Sequence, residues 1–242
     1  MKGLLMSGAL ALAVAGPAYG LAALLTDDFS YGVTAGNLTT ITTNWTAHSG
    51  AGAGWVGYQA STLSLSGYTF GGTGGAATIA AAGSEDINRA FGAQSGDIYV
   101  SALMNFSAAG TGSYFFHLKD ATTNFRARVF AQNVGGALRF GLHSTSTGTY
   151  SPTDFAFNTT YLVVVHYNGT TGATDLWVLT TVPATAPTPL LSQTDATILA
   201  TMEGIAIRQA GATGPTGVID GVRVGTTWAD LLPVELMNFE VK

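Results

Sequence analysis

Past Thr26 the chain alternates apolar and polar residues with period two, and small turn-forming residues break the alternation at short intervals. The clearest runs are 62–70 (TLSLSGYTF), 97–106 (DIYVSALMNF), 113–118 (SYFFHL), 161–167 (YLVVVHY), 175–182 (DLWVLTTV), 204–208 and 218–224. In 125–130 (FRARVF) the same period places Arg126 and Arg128 on one face and apolar groups on the other. Gly-Gly, Asn-Gly and Gly-Thr-Gly fill the gaps, which is turn chemistry. No stretch beyond the first two dozen residues has helical periodicity. About ten strands at this spacing predict an all-β, two-sheet antiparallel jelly-roll sandwich over residues 24–231. The segment 183–189 (PATAPTP) then reads as a stiff loop inside the sandwich.

The first residues follow a different pattern. Met1-Lys2 leads into an apolar run over 4–14, and small residues follow through 20–23. A basic start, an apolar core and a small-residue exit predict a signal peptide over 1–23, cleaved near 20–23. Gly16-Pro17 interrupts the apolar run, which disfavours a membrane-spanning helix. The expected address is secreted, extracellular or on the cell surface, with no membrane contact once the leader is removed.

Composition sharpens this picture. Charged residues are 10% of the 242, against about 25% in an ordinary soluble domain. Apolar residues reach 47% and there are 32 glycines. The formal net charge of −5 argues against nucleic acid and anionic membranes as partners. Without cysteine there is no disulfide framework, thiolate metal site or cysteine nucleophile.

Several segments together resemble a known family. Asp27-Asp28-Phe29-Ser30-Tyr31, then Gly36-Asn37-Leu38 and Trp45-Thr46-Ala47-His48-Ser49-Gly50, are similar to the opening of an exported bacterial module. Residues 83–91 (GSEDINRAF) and 114–118 (YFFHL) resemble its middle, and 219–230 (IDGVRVGTTWAD) its last strand. The resemblance is to the laminin-G/concanavalin-A-like sandwich modules of Bacteroidetes-type surface proteins. It implies that fold and a surface address, with adhesion or glycan binding by analogy. Residues 232–239 (LPVELMNF) resemble a segment of type IX secretion substrates, where a sorting domain usually follows; this chain stops at Lys242. An alternative use of the tail is as a donated strand, with Leu236, Met237, Phe239 and Val241 alternating toward a neighbouring copy.

Candidate chemistry is sparse. A glucanase of this fold class needs two carboxylates facing each other across a sugar. Glu85, Glu203, Glu235 and Glu240 lie far apart in sequence, and the adjacent Glu85 and Asp86 point to opposite faces of a strand. The expectation is that Glu85 pairs with Arg89 while Asp86 caps a turn. His48, His117, His143 and His166 lack metal spacing, and no nucleophile elbow is present. His117 and His166 sit in apolar strands, where a hydrogen-bonded histidine is the default reading.

Calcium is the one ion considered. Asp27 or Asp28 on the first strand and Asp220 on the last meet if the ends of the jelly roll pair. Sugar stacking needs exposed aromatics, for which Trp45, Trp55, Tyr58 and Tyr150 are the candidates. Trp177 is expected in the core and Trp228 against the sheet. The resulting expectation is a non-catalytic surface module that binds glycans or mediates adhesion. The alternative is a self-assembling extracellular subunit forming a filament or layer, and a glycoside hydrolase is the least supported reading.

Overall fold

The computed structural model describes residues 23–232. The expected leader therefore lies outside the described residues except for Ala23, as do the tail residues Leu236, Met237, Phe239 and Val241. The strands are β1 Leu25–Asp27, β2 Ala35–Asn37, β3 Thr46–Ser49, β4 Gly57–Gln59, β5 Ala76–Ile79, β6 Asp86–Ser95, β7 Asp97–Ala109 and β8 Ser113–Lys119. They continue as β9 Phe125–Val134, β10 Ala137–His143, β11 Thr149–Tyr150, β12 Thr160–Asn168, β13 Ala173–Leu179, β14 Leu191–Thr194, β15 Thr201–Arg208 and β16 Pro215–Gly225. A single turn of helix, α1 Leu38–Ile41, is capped by the Asn37 side chain.

All paired strands are antiparallel, in two sheets. The larger runs β14-β13-β12-β7-β16-β5-β4-β2 with β1 also on β16, and the smaller runs β11-β10-β9-β8-β15-β6-β3. This is the two-sheet sandwich that the alternation predicts. The core between the sheets follows from the pleat. Tyr161, Val163, Val165 and Tyr167 on β12 point inward with Ala102, Met104 and Phe106 on β7. From the smaller sheet, Phe115, Phe116, Leu118, Val129, Phe140, Ile205 and Ile207 meet them. Phe106 packs edge-to-face on Phe115 at 4.9 Å.

Strand β12 is apolar on both faces because both are covered. Leu162 and Val164, on its outer side, join a second apolar cluster with Tyr68, Leu103, Trp177, Trp228 and Leu231. That cluster corrects one sequence expectation. Residues 62–70 are not a sheet strand but a tight loop, with one isolated bridge between Leu65 and Tyr68, lying across the outside of the larger sheet. Period-two alternation arises wherever an extended segment lies flat on an apolar surface, so it does not distinguish a strand from a cover. The expected proline-rich loop is present between β13 and β14, and the carbonyls of Pro187 and Pro183 accept the indole N–H groups of Trp177 and Trp228.

Candidate functional site

In the smaller sheet, strand β15 lies between β8 and β6. The register places Ala206 opposite Asn88 on one side and His117 on the other, with Thr46 beyond Asn88. One row further along, Gly204 lies between Ala90 and Lys119. Because β15 offers only small side chains in these two rows, neighbouring side chains close over Ala206, which is fully buried with His117, and a shallow channel is left over Gly204. A cavity of about 160 Å³ lined by Asn88, Ala90, Lys119, Asp120, Ala121, Glu203 and Gly204 is part of it.

Irregular pairing steers larger side chains toward this channel. The β3–β6 register shifts between Ala47 and Ser49, making His48 the extra residue. The β8–β9 register shifts on either side of Phe116, and Ala127 adopts φ +50°, a left-handed conformation unusual for alanine. Phe125 and Arg128, three residues apart, would face opposite ways in a regular strand. Here both meet the outer cluster, with the Arg128 guanidinium 5.4 Å from the Phe125 ring centroid.

The outcome is a row of rings across the sheet. Tyr150, Phe130, Tyr114, His117, Phe125 and His48 follow one another at centroid separations of 6.0, 5.6, 5.5, 4.2 and 5.8 Å. Arg128 and Arg208 lie over the Tyr114 ring, at 4.7 and 4.2 Å from its centroid. His117 is only 1% exposed, yet its Nε2 has no hydrogen-bond partner, and neither does Nδ1 or Nε2 of His48 or Nε of Arg128. Buried polar atoms are rarely left unpaired. Burial lowers the His117 pKa to about 3, and the nearby cations Arg128 and Arg208 add to the effect, so the ring is neutral. Burial and Lys119 lower His48 as well.

The expected sugar-stacking residues divide. Tyr150 opposes Gly141 on β10 and ends the ring row. Trp55 is 48% exposed beside a separate cavity of about 180 Å³, but the polar neighbour there, Gln209, is engaged with the Ala80 N–H and the Gly54 carbonyl. Trp45 and Tyr58 are core residues, a correction to the expectation of exposed platforms. Trp45 stacks on Phe29 at 5.9 Å and donates Nε1–H to Asp27, which holds it in the sandwich. Aromatics in a Gly-rich segment fill the space that the missing side chains leave.

The calcium candidates are brought to one end of the sandwich, since β1 pairs with β16. Their carboxylates are largely engaged. Asp27 accepts from the Phe29 N–H, Tyr31 Oη and Trp45 Nε1 and pairs with Arg89. Asp220 accepts from the Leu63 and Gly221 N–H groups, and Asp28 from the Ser30 N–H. Among the described residues there is no group of three or more His, Cys, Asp or Glu side chains arranged to hold a metal. Arg89 is thus taken by Asp27, not by Glu85, which is fully buried and accepts from the Gly52 and Val56 N–H groups. Asp86 faces Arg208 and the Gln209 N–H.

His166 has partners on both ring nitrogens, Asp97 on Nε2 and Asp175 on Nδ1, whereas His117 has only the Leu118 carbonyl, on Nδ1. The ring row itself was not anticipated. The expectation of Arg126 and Arg128 on one face is corrected: the left-handed backbone at Ala127 turns Phe125 and Arg128 to the outer cluster, while Arg126 reaches the Thr197 carbonyl and Asp195.

No protein-family model matches the chain, and neither does any curated protein. Among solved structures it is similar to a sialidase, at 16% identity over 86% of this chain and 19% of that one, with a TM-score of 0.56. The match therefore spans less than a fifth of the sialidase. It is also similar to Cip1, a cellulose-induced protein, at 13% identity over 84% of this chain and 97% of that one, with a TM-score of 0.52. At these identities the likeness concerns the two-sheet sandwich. Among the described residues, no helix is long and apolar enough to cross a membrane.

Proposed function

We propose that this chain is a non-catalytic, exported carbohydrate-binding module that holds a glycan along the outer face of the smaller sheet. The observation that carries the reading is the ring row with its unpaired ring nitrogens. Rings give sugar C–H faces a surface to lie on, and the buried, unpartnered nitrogens of His48 and His117 leave hydrogen-bonding capacity for a hydroxyl that enters between the rings. The leader composition and the resemblance to surface modules support a secreted or cell-surface address, with adhesion as the physiological consequence.

The absence of catalysis is part of the proposal. Glu85 and Asp86 are both committed to the fold, and the Asp120 carboxylate is engaged by Thr122 and Asn124 in its own turn. That leaves Glu203 beside the channel without a second carboxylate free to act with it.

A glycan array with the purified secreted chain tests the reading. Retention on a defined subset of glycans is expected, lost in Phe125→Ala and kept in Trp55→Ala, with both variants folded by circular dichroism. Binding that follows Trp55 and ignores Phe125 would move the site to the Gly54–Gln209 corner. Shortening of a bound polymer would overturn the non-catalytic reading.

A further inference from the structure

We infer that this face selects sugars bearing carboxylates, with Arg128 as the group that reads the acid; the inference rests on the glycan-binding reading above. The chain has only 9 basic residues and a net charge of −5. Even so, Lys119, Arg126, Arg128 and Arg208 all gather on or beside this one face. Arg126 is matched by Asp195 at 3.4 Å and Arg208 by Asp86 at 3.7 Å. Among the described residues, Arg128 and Lys119 have no carboxylate at ion-pair distance, although the Lys119 ammonium donates to the Asp120 carbonyl.

Arg128 is also the best-prepared of the four. Its guanidinium is held against the Tyr114 and Phe125 rings, which fixes its plane while the Nε edge has no partner. Because Nε is buried, the half-buried Arg128 meets a carboxylate through its two terminal amino groups, with little rotamer freedom left to lose. The neutral His117 ring donates Nδ1–H to the Leu118 carbonyl, so its unpartnered Nε2 is an acceptor, suited to a sugar hydroxyl beside the acid. A metal cation is disfavoured at the same spot by the surrounding positive charge. At the far end of the channel, Glu203 and Asp120 repel an acid, so the sugar carboxylate belongs at the Arg128 end.

The test changes the ligand first and the protein second. Affinity electrophoresis through polygalacturonate is compared with the same polymer after its carboxylates are reduced to alcohols, and isothermal titration is run with a sialylated oligosaccharide. Preference for a carboxylated probe over its neutral counterpart by roughly tenfold or more supports the inference, and the probe that binds separates a uronate from a sialic acid source. Arg128→Gln is expected to remove that preference and Arg128→Lys to restore only part of it, while Arg139→Gln, whose arginine pairs with Asp154, leaves it intact. Because the reduced polymer leaves the protein untouched, the outcome survives a variant that folds poorly. Equal affinity for native and reduced polymer, with binding still lost in Phe125→Ala, would overturn the charge inference and leave the glycan reading standing. Failure to bind any carbohydrate, charged or neutral, would overturn both.

Discussion

The two sheets turn very different outer faces away from the shared core. On the larger sheet, Leu103, Leu162, Val164, Trp177 and Trp228 are sealed under the 62–70 loop and the turn around Leu231. Most polar groups on that side are paired, the Asp230 Oδ1 in the covering turn being an exception. Tyr68 bonds to Ser101 and to the Gly221 carbonyl, and both ring nitrogens of His166 face carboxylates. On the smaller sheet the rings close over one another, so that His117 and Phe130 are buried while Tyr114, Phe125, His48 and Tyr150 stay part-exposed, and its histidines and Arg128 keep unpaired atoms. A chain that satisfies one buried histidine and leaves another unsatisfied carries a local cost of about 1–3 kcal/mol at the second. Costs of that kind persist where a ligand completes the pairing, which is why the open face is the functional candidate.

This contrast can be broken from either side. The largest effect is expected from Trp228→Ala. Removing a mostly buried indole from the sealed face should cost about 3–5 kcal/mol in urea unfolding and leave glycan affinity unchanged. Tyr68→Phe should cost about 1–3 kcal/mol by the same measurement, because it strips the hydroxyl that ties the covering loop to Ser101 and Gly221. On the open face the sign should reverse. His117→Phe replaces an unsatisfied ring by an apolar one of similar shape and should be neutral or stabilising by up to about 1 kcal/mol, while weakening binding. A loss of stability there would mean that the imidazole is satisfied in solution, and the contrast between the faces would disappear.

The titration behaviour should also divide by face. His117 has its pKa lowered from 6.5 to about 3, so its contribution to stability is full above pH 6.5 and lost as pH falls toward 3. Asp220, fully buried under the loop on the larger sheet, is raised by burial from 3.8 to about 7, with Asp28 and Asp27 nearby adding to it. Its contribution is full below pH 3.8 and is lost as pH rises through 7. Stability measured against pH should therefore lose its acid-side slope in His117→Phe and its neutral-side slope in Asp220→Asn. The smallest effect belongs to Trp55→Ala, expected within about 0.5 kcal/mol of the parent because the ring is half exposed.

Much of the fold can be read directly along the chain. Tyr161-Leu162-Val163-Val164-Val165-His166-Tyr167 specifies a strand buried on both sides, and Leu176, Val178, Ile205 and Ile207 carry the alternation that assigns an inner face, because the pleat makes facing a local property. The pairing of first and last strands, Leu25–Asp27 against Val222–Val224, was also anticipated from the sandwich itself. The site was not legible in the same way. His48, Tyr114, His117, Phe125 and Arg128 lie on three strands that are not all neighbours, and three register shifts in two strand pairs bring their side chains together. A bulge is set by how one strand meets its partner, and the 69-residue separation of His48 and His117 leaves no local trace of it. Trp45 and Tyr58 show the converse. Their Gly-rich surroundings suggested exposure, and only the tertiary packing decided that these rings fill the core. Local alternation thus determined which residues face inward, while long-range pairing decided which outward-facing residues meet one another.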